Sequence, residues 1–257
     1  MSWVPFSYAD KAATKAATQA ATQVATQNTA QRPDESAEYA VLGALRRAAL
    51  DEGCTKIRLF TQAVGPIKAA LAKQESAAGV CRELAVRWLG AKQAGDGDKF
   101  LDALLGLGGT VKEEELKKVV EAFKAMGDKN ITDQRTYTEL QLKAYFQLVS
   151  ATEVLRGPSR LDQGPRVSAV DWLFSPAAQC DYRLFGIRGV INHATAICLA
   201  PGKESFFDPN LGEFEFTGKA IKMQNFLNTH IFPVGGQGRG QYIGKKEFYD
   251  VERICCS

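Results

Sequence analysis

The chain changes texture once, and that change restricts its fold more than any other feature. From residue 34 to residue 154, apolar residues recur at helical spacing. After residue 180, YRLFGIRGVI, HATAICLA, ESFFD and GEFEF are short, β-branched or aromatic, and separated by turn residues. Antiparallel strands joined by hairpins have this pattern. Helices first and sheet second argue against an alternating βαβ layout and predict an α+β fold.

Within the helical part, DESAEYAVLGALRRAALDEG spaces Tyr39, Leu42, Leu45, Ala49 and Leu50 helically, with Gly53 as its C-cap. A short helix over 67–73 follows Pro66. AAGVCRELAVRWL places Leu84, Ala85, Trp88 and Leu89 on one side of a helix and Arg82, Glu83 and Arg87 elsewhere. Further helices are predicted over 99–105, 112–126 and 133–154, and the Gly/Pro-rich stretch 157–168 reads as loop. Ahead of them lies KAATKAATQAATQVATQ. Its period of four drifts around a 3.6-residue helix and builds no apolar face. The expected organisation is a flexible Ala/Thr/Gln-rich leader over 1–33 and one domain over 34–257.

Composition narrows the function classes. Of 257 residues, 45% are hydrophobic and 24% charged, which suits a packed core. A net charge of +3, with no basic run interleaved with aromatics, argues against a nucleic-acid partner. No apolar run is long enough to span a bilayer, and the first residues lack the basic and apolar regions of a signal peptide. The six cysteines form no CxxC pair, so free thiols are expected rather than a zinc site or a disulfide scaffold. No metal or cofactor is expected.

One cysteine is placed for chemistry. Cys81 opens its helix, where unpaired N–H groups and the helix dipole favour a thiolate. A nucleophile needs a base, and the base needs an orienter. Only two histidines exist, His193 and His230. His193 begins a strand and shares a face with Thr195 and Ile197. Asp208 follows fifteen positions later (208 minus 193), after a turn at 200–203. A hairpin of that length returns Asp208 to His193, where a carboxylate can fix the ring's tautomer. Asp208 before Pro209-Asn210 is also a turn initiator. Cys198 lies on the strand face opposite His193, His230 reads as structural, and Trp88 reads as core packing.

In order, GVCRELAVRWL, NHATAICL and FFDPNLGEFEF resemble blocks of the YopT/AvrPphB family of bacterial type III effector proteases. The resemblance implies a papain-like fold, with Cys81 as nucleophile, His193 as general base and acid, and Asp208 as orienter. It also implies an oxyanion hole made of the nucleophile's N–H and an upstream side chain, Gln74 or Ser76. A host protein substrate, either a prenylated small GTPase or a kinase-like target, would follow. So would type III secretion into the host cytoplasm. A monomer is expected. The same triad also serves deamidases and acyltransferases, and a worn-out protease fold can serve for binding alone.

Loops 157–168 and 200–205 are the expected sites of substrate choice. Lys245, Lys246 and Arg253 suit an anionic membrane surface or, preferably, a solvated face. Gly53-Cys54 resembles the Gly-Cys end that some family members expose by self-cleavage and then acylate. Here Asp51-Glu52 before it, and Ile57 where myristoylation wants Ser or Thr, favour the C-cap reading. Cys255-Cys256 lies outside any CaaX box and reads as an exposed pair or a palmitoylation site.

Overall fold

The computed structural model describes residues 33–63, 65–73, 80–105, 111–127, 153–156, 170, 174, 181–188, 193–232 and 248–255. The helical part comprises α1 (Pro33–Asp51), α2 (Gly65–Lys73), α3 (Val80–Gln93), α4 (Gly97–Leu104) and α5 (Glu113–Gly127), with a short strand β1 (Lys56–Arg58) between α1 and α2. Strands β2 (Glu153–Arg156), β3 (Tyr182–Arg188), β4 (His193–Cys198), β5 (Ser205–Asp208) and β6 (Gly212–Glu215) follow. Helix α6 (Ala220–Phe226) runs into a π-helical turn, Leu227–Ile231, and β7 (Phe248–Cys255) comes last.

The seven strands form one sheet in the order β1-β6-β5-β4-β3-β7-β2, with every pair antiparallel. Side chains alternate across it, so each strand feeds two cores. One face supplies Tyr182, Leu184, Ala196, Cys198 and Phe207, which pack against Leu71, Leu84, Trp88, Leu101 and Leu116 of α2–α5. The other supplies Phe185, Ile197, Phe206 and Phe214, covered by Leu45 and Ala49 of α1 and by Met223, Phe226 and Ile231 after β6. The α+β order therefore holds, with the sheet sandwiched between helices. Trp88 stacks on Phe207 with ring centroids 5.4 Å apart, and Phe60 meets the same ring at 5.9 Å. This aromatic seam locks α3 onto β5.

Charge is buried at the far end of α3. Lys92 Nζ lies 2.7 Å from Glu213 Oε1 and 3.5 Å from Glu215 Oε2 on the helix-facing side of β6. Burial lowers the Lys92 ammonium, but the two carboxylates more than offset it and hold it above its ordinary value. Burial raises the Glu213 carboxyl against the pull of Lys92.

One expectation needs correction. The predicted helix over 133–154 cannot run to its end, because Glu153–Arg156 is a strand whose Val154 and Leu155 pair with Ile254 and Arg253 of β7. Partnering with a distant strand overrides local periodicity there; 133–152 lie outside the described residues. The turn at 200–203 exists, closed by the Lys203 N–H to the Ala200 carbonyl at 2.9 Å. It joins Cys198 to Ser205, the ends of β4 and β5 away from His193 and Asp208. The leader over 1–32 and loop 157–168 lie outside the described residues. No described helix is long and apolar enough to cross a membrane.

Candidate active site

Cys81 is the second residue of α3. The helix starts there because Val80, Leu84, Ala85, Trp88 and Leu89, all buried, form one continuous apolar side. That side seats the helix on β4, and the helix start meets the beginning of that strand. His193 is the first residue of β4 and Asp208 the last of β5. The β4–β5 register pairs Ala196 with Phe207 and Cys198 with Ser205. Carried on, it sets Asp208 opposite Thr195, one diagonal step from His193 on the same face. The fifteen-residue spacing thus becomes a contact, with His193 Nε2 2.9 Å from Asp208 Oδ1. The same oxygen accepts the Asn210 N–H at 2.7 Å, so Asp208 initiates the turn and holds the ring at once.

The ring's other side meets the thiol. His193 and Cys81 are hydrogen-bonded, and with Nε2 turned to Asp208, Nδ1 is the nitrogen left to the sulfur. Burial alone would lower the imidazolium. The charge and hydrogen bond of Asp208, then the thiol, reverse this and raise it to about 10. For Cys81, burial pushes the thiol up. The hydrogen bond and charge of His193, with backbone hydrogen bonds to Ala194 and Arg82, outweigh it and bring it below its ordinary value of 9.0.

The other described thiols behave oppositely. Cys198, fully buried against α3, is pushed up to about 11 by burial. Burial also raises Cys54, whose Sγ lies 3.2 Å from the carbonyls of Lys56 and Glu215. All three are buried, and only the one beside a histidine is lowered.

The remaining candidates separate. Gln74 and Ser76 lie outside the described residues, as do Lys245, Lys246 and Cys256; Arg253 is on β7. His230, on the π-helical turn, packs on Phe226 at 5.7 Å and belongs to the opposite face of the sheet from α3. Trp88 is fully buried and lines no cleft. Gly53 has φ +89, and the Cys54 N–H closes on the Ala49 carbonyl at 2.8 Å, a helix C-cap as expected. The Asn210 N–H bond to Asp208 Oδ1 is the turn that Asp208-Pro209-Asn210 signals in the sequence.

A thiol at a helix N-terminus, an imidazole raised by a carboxylate and a polar contact between them can generate a nucleophile at neutral pH. The family model Peptidase_C58, Yersinia/Haemophilus virulence surface antigen, matches residues 53–241. The chain belongs to this family. It is a cysteine peptidase. Among solved structures, the crystal structure of the Pseudomonas avirulence protein AvrPphB matches with 19% identity, covering 68% of this chain and 91% of that one, at a TM-score of 0.41. No curated protein matches the chain. The Peptidase_C58 match includes all three site residues and begins at the helix cap, leaving α1 upstream of it.

Proposed function

We propose that Cys81, His193 and Asp208 are the catalytic triad of a papain-like endopeptidase that is delivered by type III secretion and cleaves a protein inside the host cell. The observation that carries this is the contrast among three buried thiols: Cys81 alone is held below its ordinary value, and its partner histidine is clamped to a carboxylate. In the proposed cycle the Cys81 thiolate attacks the scissile carbonyl carbon. The tetrahedral oxyanion is met by the backbone N–H of Cys81 at the start of α3, joined by Gln74 or Ser76. The C–N bond breaks as imidazolium His193 gives its proton to the leaving amine. Neutral His193 then takes a proton from water, whose oxygen attacks the thioester and releases the new C-terminus. Asp208 keeps the ring oriented and stabilises its charge throughout.

The substrate is proposed to be a host protein, a prenylated small GTPase or a kinase-like target. The test is N-terminal labelling of a eukaryotic lysate, membranes included, treated with the wild-type protein or with Cys81→Ala. New N-termini that depend on Cys81 support an endopeptidase, and their flanking residues name the substrate class. Protein mass shifts without new N-termini would assign the triad to deamidation or acyl transfer instead.

A further inference from the structure

The carboxylate that orients His193 sits on a turn, and a turn needs a backstop. Asp208 and Gly212 face each other across the β5–β6 hairpin, and the Leu211 N–H closes on the Asp208 carbonyl at 2.9 Å. Strand β1 lies against this turn from outside. It pairs with β6 from Lys56–Glu215 to Arg58–Glu213. Beyond the pairing, the Gln62 N–H donates to the Pro209 carbonyl at 2.8 Å.

At Gly212 the two backbones touch. A Cβ built there would fall 2.3 Å from the Arg58 carbonyl oxygen and 3.1 Å from the Phe60 nitrogen, and φ is +106. Only glycine satisfies both the dihedral and the approach. Arg58 cannot easily retreat, because its guanidinium is tied to Asp98 at 3.0 Å and to Asp102 on α4.

We propose that Gly212 and the Arg58–Gln62 segment act as positioning residues that hold the Asp208 carboxylate against His193. The proposal rests on the triad reading above. It accounts for the glycine in FFDPNLGEFEF by a steric requirement. It also makes the chain between α1 and α2 part of the catalytic apparatus.

The test reads the Cys81 thiolate directly, by the pH dependence of iodoacetamide alkylation at Cys81 in the full chain, followed by peptide mass spectrometry. Three variants are compared with wild type. Gly212→Ala creates the clash. Gln62→Pro removes the N–H that donates to the Pro209 carbonyl, four residues beyond the end of β1. Gly95→Ala, at φ +80 with nothing within 4 Å, carries similar backbone strain without a clash.

Gly212→Ala is expected to move the onset of alkylation up by about one pH unit, about tenfold slower at pH 6, and Gln62→Pro by a smaller step in the same direction. Gly95→Ala should follow wild type. Circular dichroism establishes the folded fraction, and rates are taken per folded molecule. Should Gly212→Ala not fold, Gln62→Pro decides. A folded Gly212→Ala or, failing that, Gln62→Pro with a wild-type profile overturns the positioning role. A wild-type Cys81 that alkylates like an ordinary thiol overturns the triad reading itself, so the two failures are distinct.

Discussion

Replacing Asp208 separates charge from geometry. His193 rises from 6.5 to about 10, about 5 kcal/mol of preference for the charged ring at 1.36 kcal/mol per unit. Asp208 contributes its charge and its hydrogen bond, and Cys81 adds to both. A charge in contact shifts its partner by about 1–3 units; taking about 1–2 for the Asp208 charge gives roughly 10- to 100-fold in the thiolate–imidazolium equilibrium. The geometry distinguishes two substitutions. Oδ1 accepts both the His193 ring at 2.9 Å and the Asn210 N–H at 2.7 Å. An asparagine carbonyl oxygen can accept both bonds, and an alanine can accept neither.

Asp208→Asn should therefore lose the charge alone, lowering peptidase activity by about 10- to 100-fold, while Asp208→Ala should lose about 1,000-fold or more. The pH profile carries a second signature. A raised histidine contributes its charged form fully below 6.5 and loses it as pH rises through the folded value. Wild type should thus keep its alkaline limb near pH 10. In Asp208→Asn that limb should move down toward neutrality. Activity on a substrate found by N-terminal labelling, read from pH 5 to about 10.5, gives both. Equal losses for Asn and Ala with an unmoved alkaline limb would refute the assignment of charge and orientation to Asp208.

At pH 7, iodoacetamide should modify Cys81 well before Cys54 or Cys198, which burial raises; peptide mapping after partial labelling reads the order. Lys92→Met strands a buried Glu213 and should cost about 3–5 kcal/mol at neutral pH. The penalty should shrink as pH falls and Glu213 takes up a proton, so urea titrations at two pH values check the sign. A chain beginning at Gly53 keeps the family-matched region but loses α1 with its buried Leu45 and Ala49. It should be about 3 kcal/mol less stable by denaturation.

The site was more legible in the sequence than the sheet that carries it. His193 and Asp208 share one hairpin, so local spacing was enough to bring them together. Cys81 was legible because its apolar partners repeat at helical spacing within a single element. By contrast, Lys56–Arg58 is three residues long and shows no alternation, and Glu153–Arg156 is a strand only because β7 pairs with it. The side of the sheet covered by α1 and α6 follows from Phe185, Phe206 and Phe214 pointing away from α2–α5. That depends on register, which a sequence pattern does not encode. The turn at 200–203 was correctly placed as a turn, but its end of the hairpin was not deduced. Gly212 was visible as a motif letter, and its reason, the Arg58 carbonyl, lies far away in sequence.

The central claim is that Cys81 is a nucleophile ionised by His193. The most direct measurement is the rate of Cys81 alkylation against pH in wild type and in His193→Ala. The account predicts that wild-type Cys81 reacts at pH values where an ordinary thiol is protonated, and that His193→Ala moves its onset to the ordinary value of 9.0 or above, as burial then dictates. A wild-type profile already following an ordinary thiol, or one unchanged by His193→Ala, would contradict it.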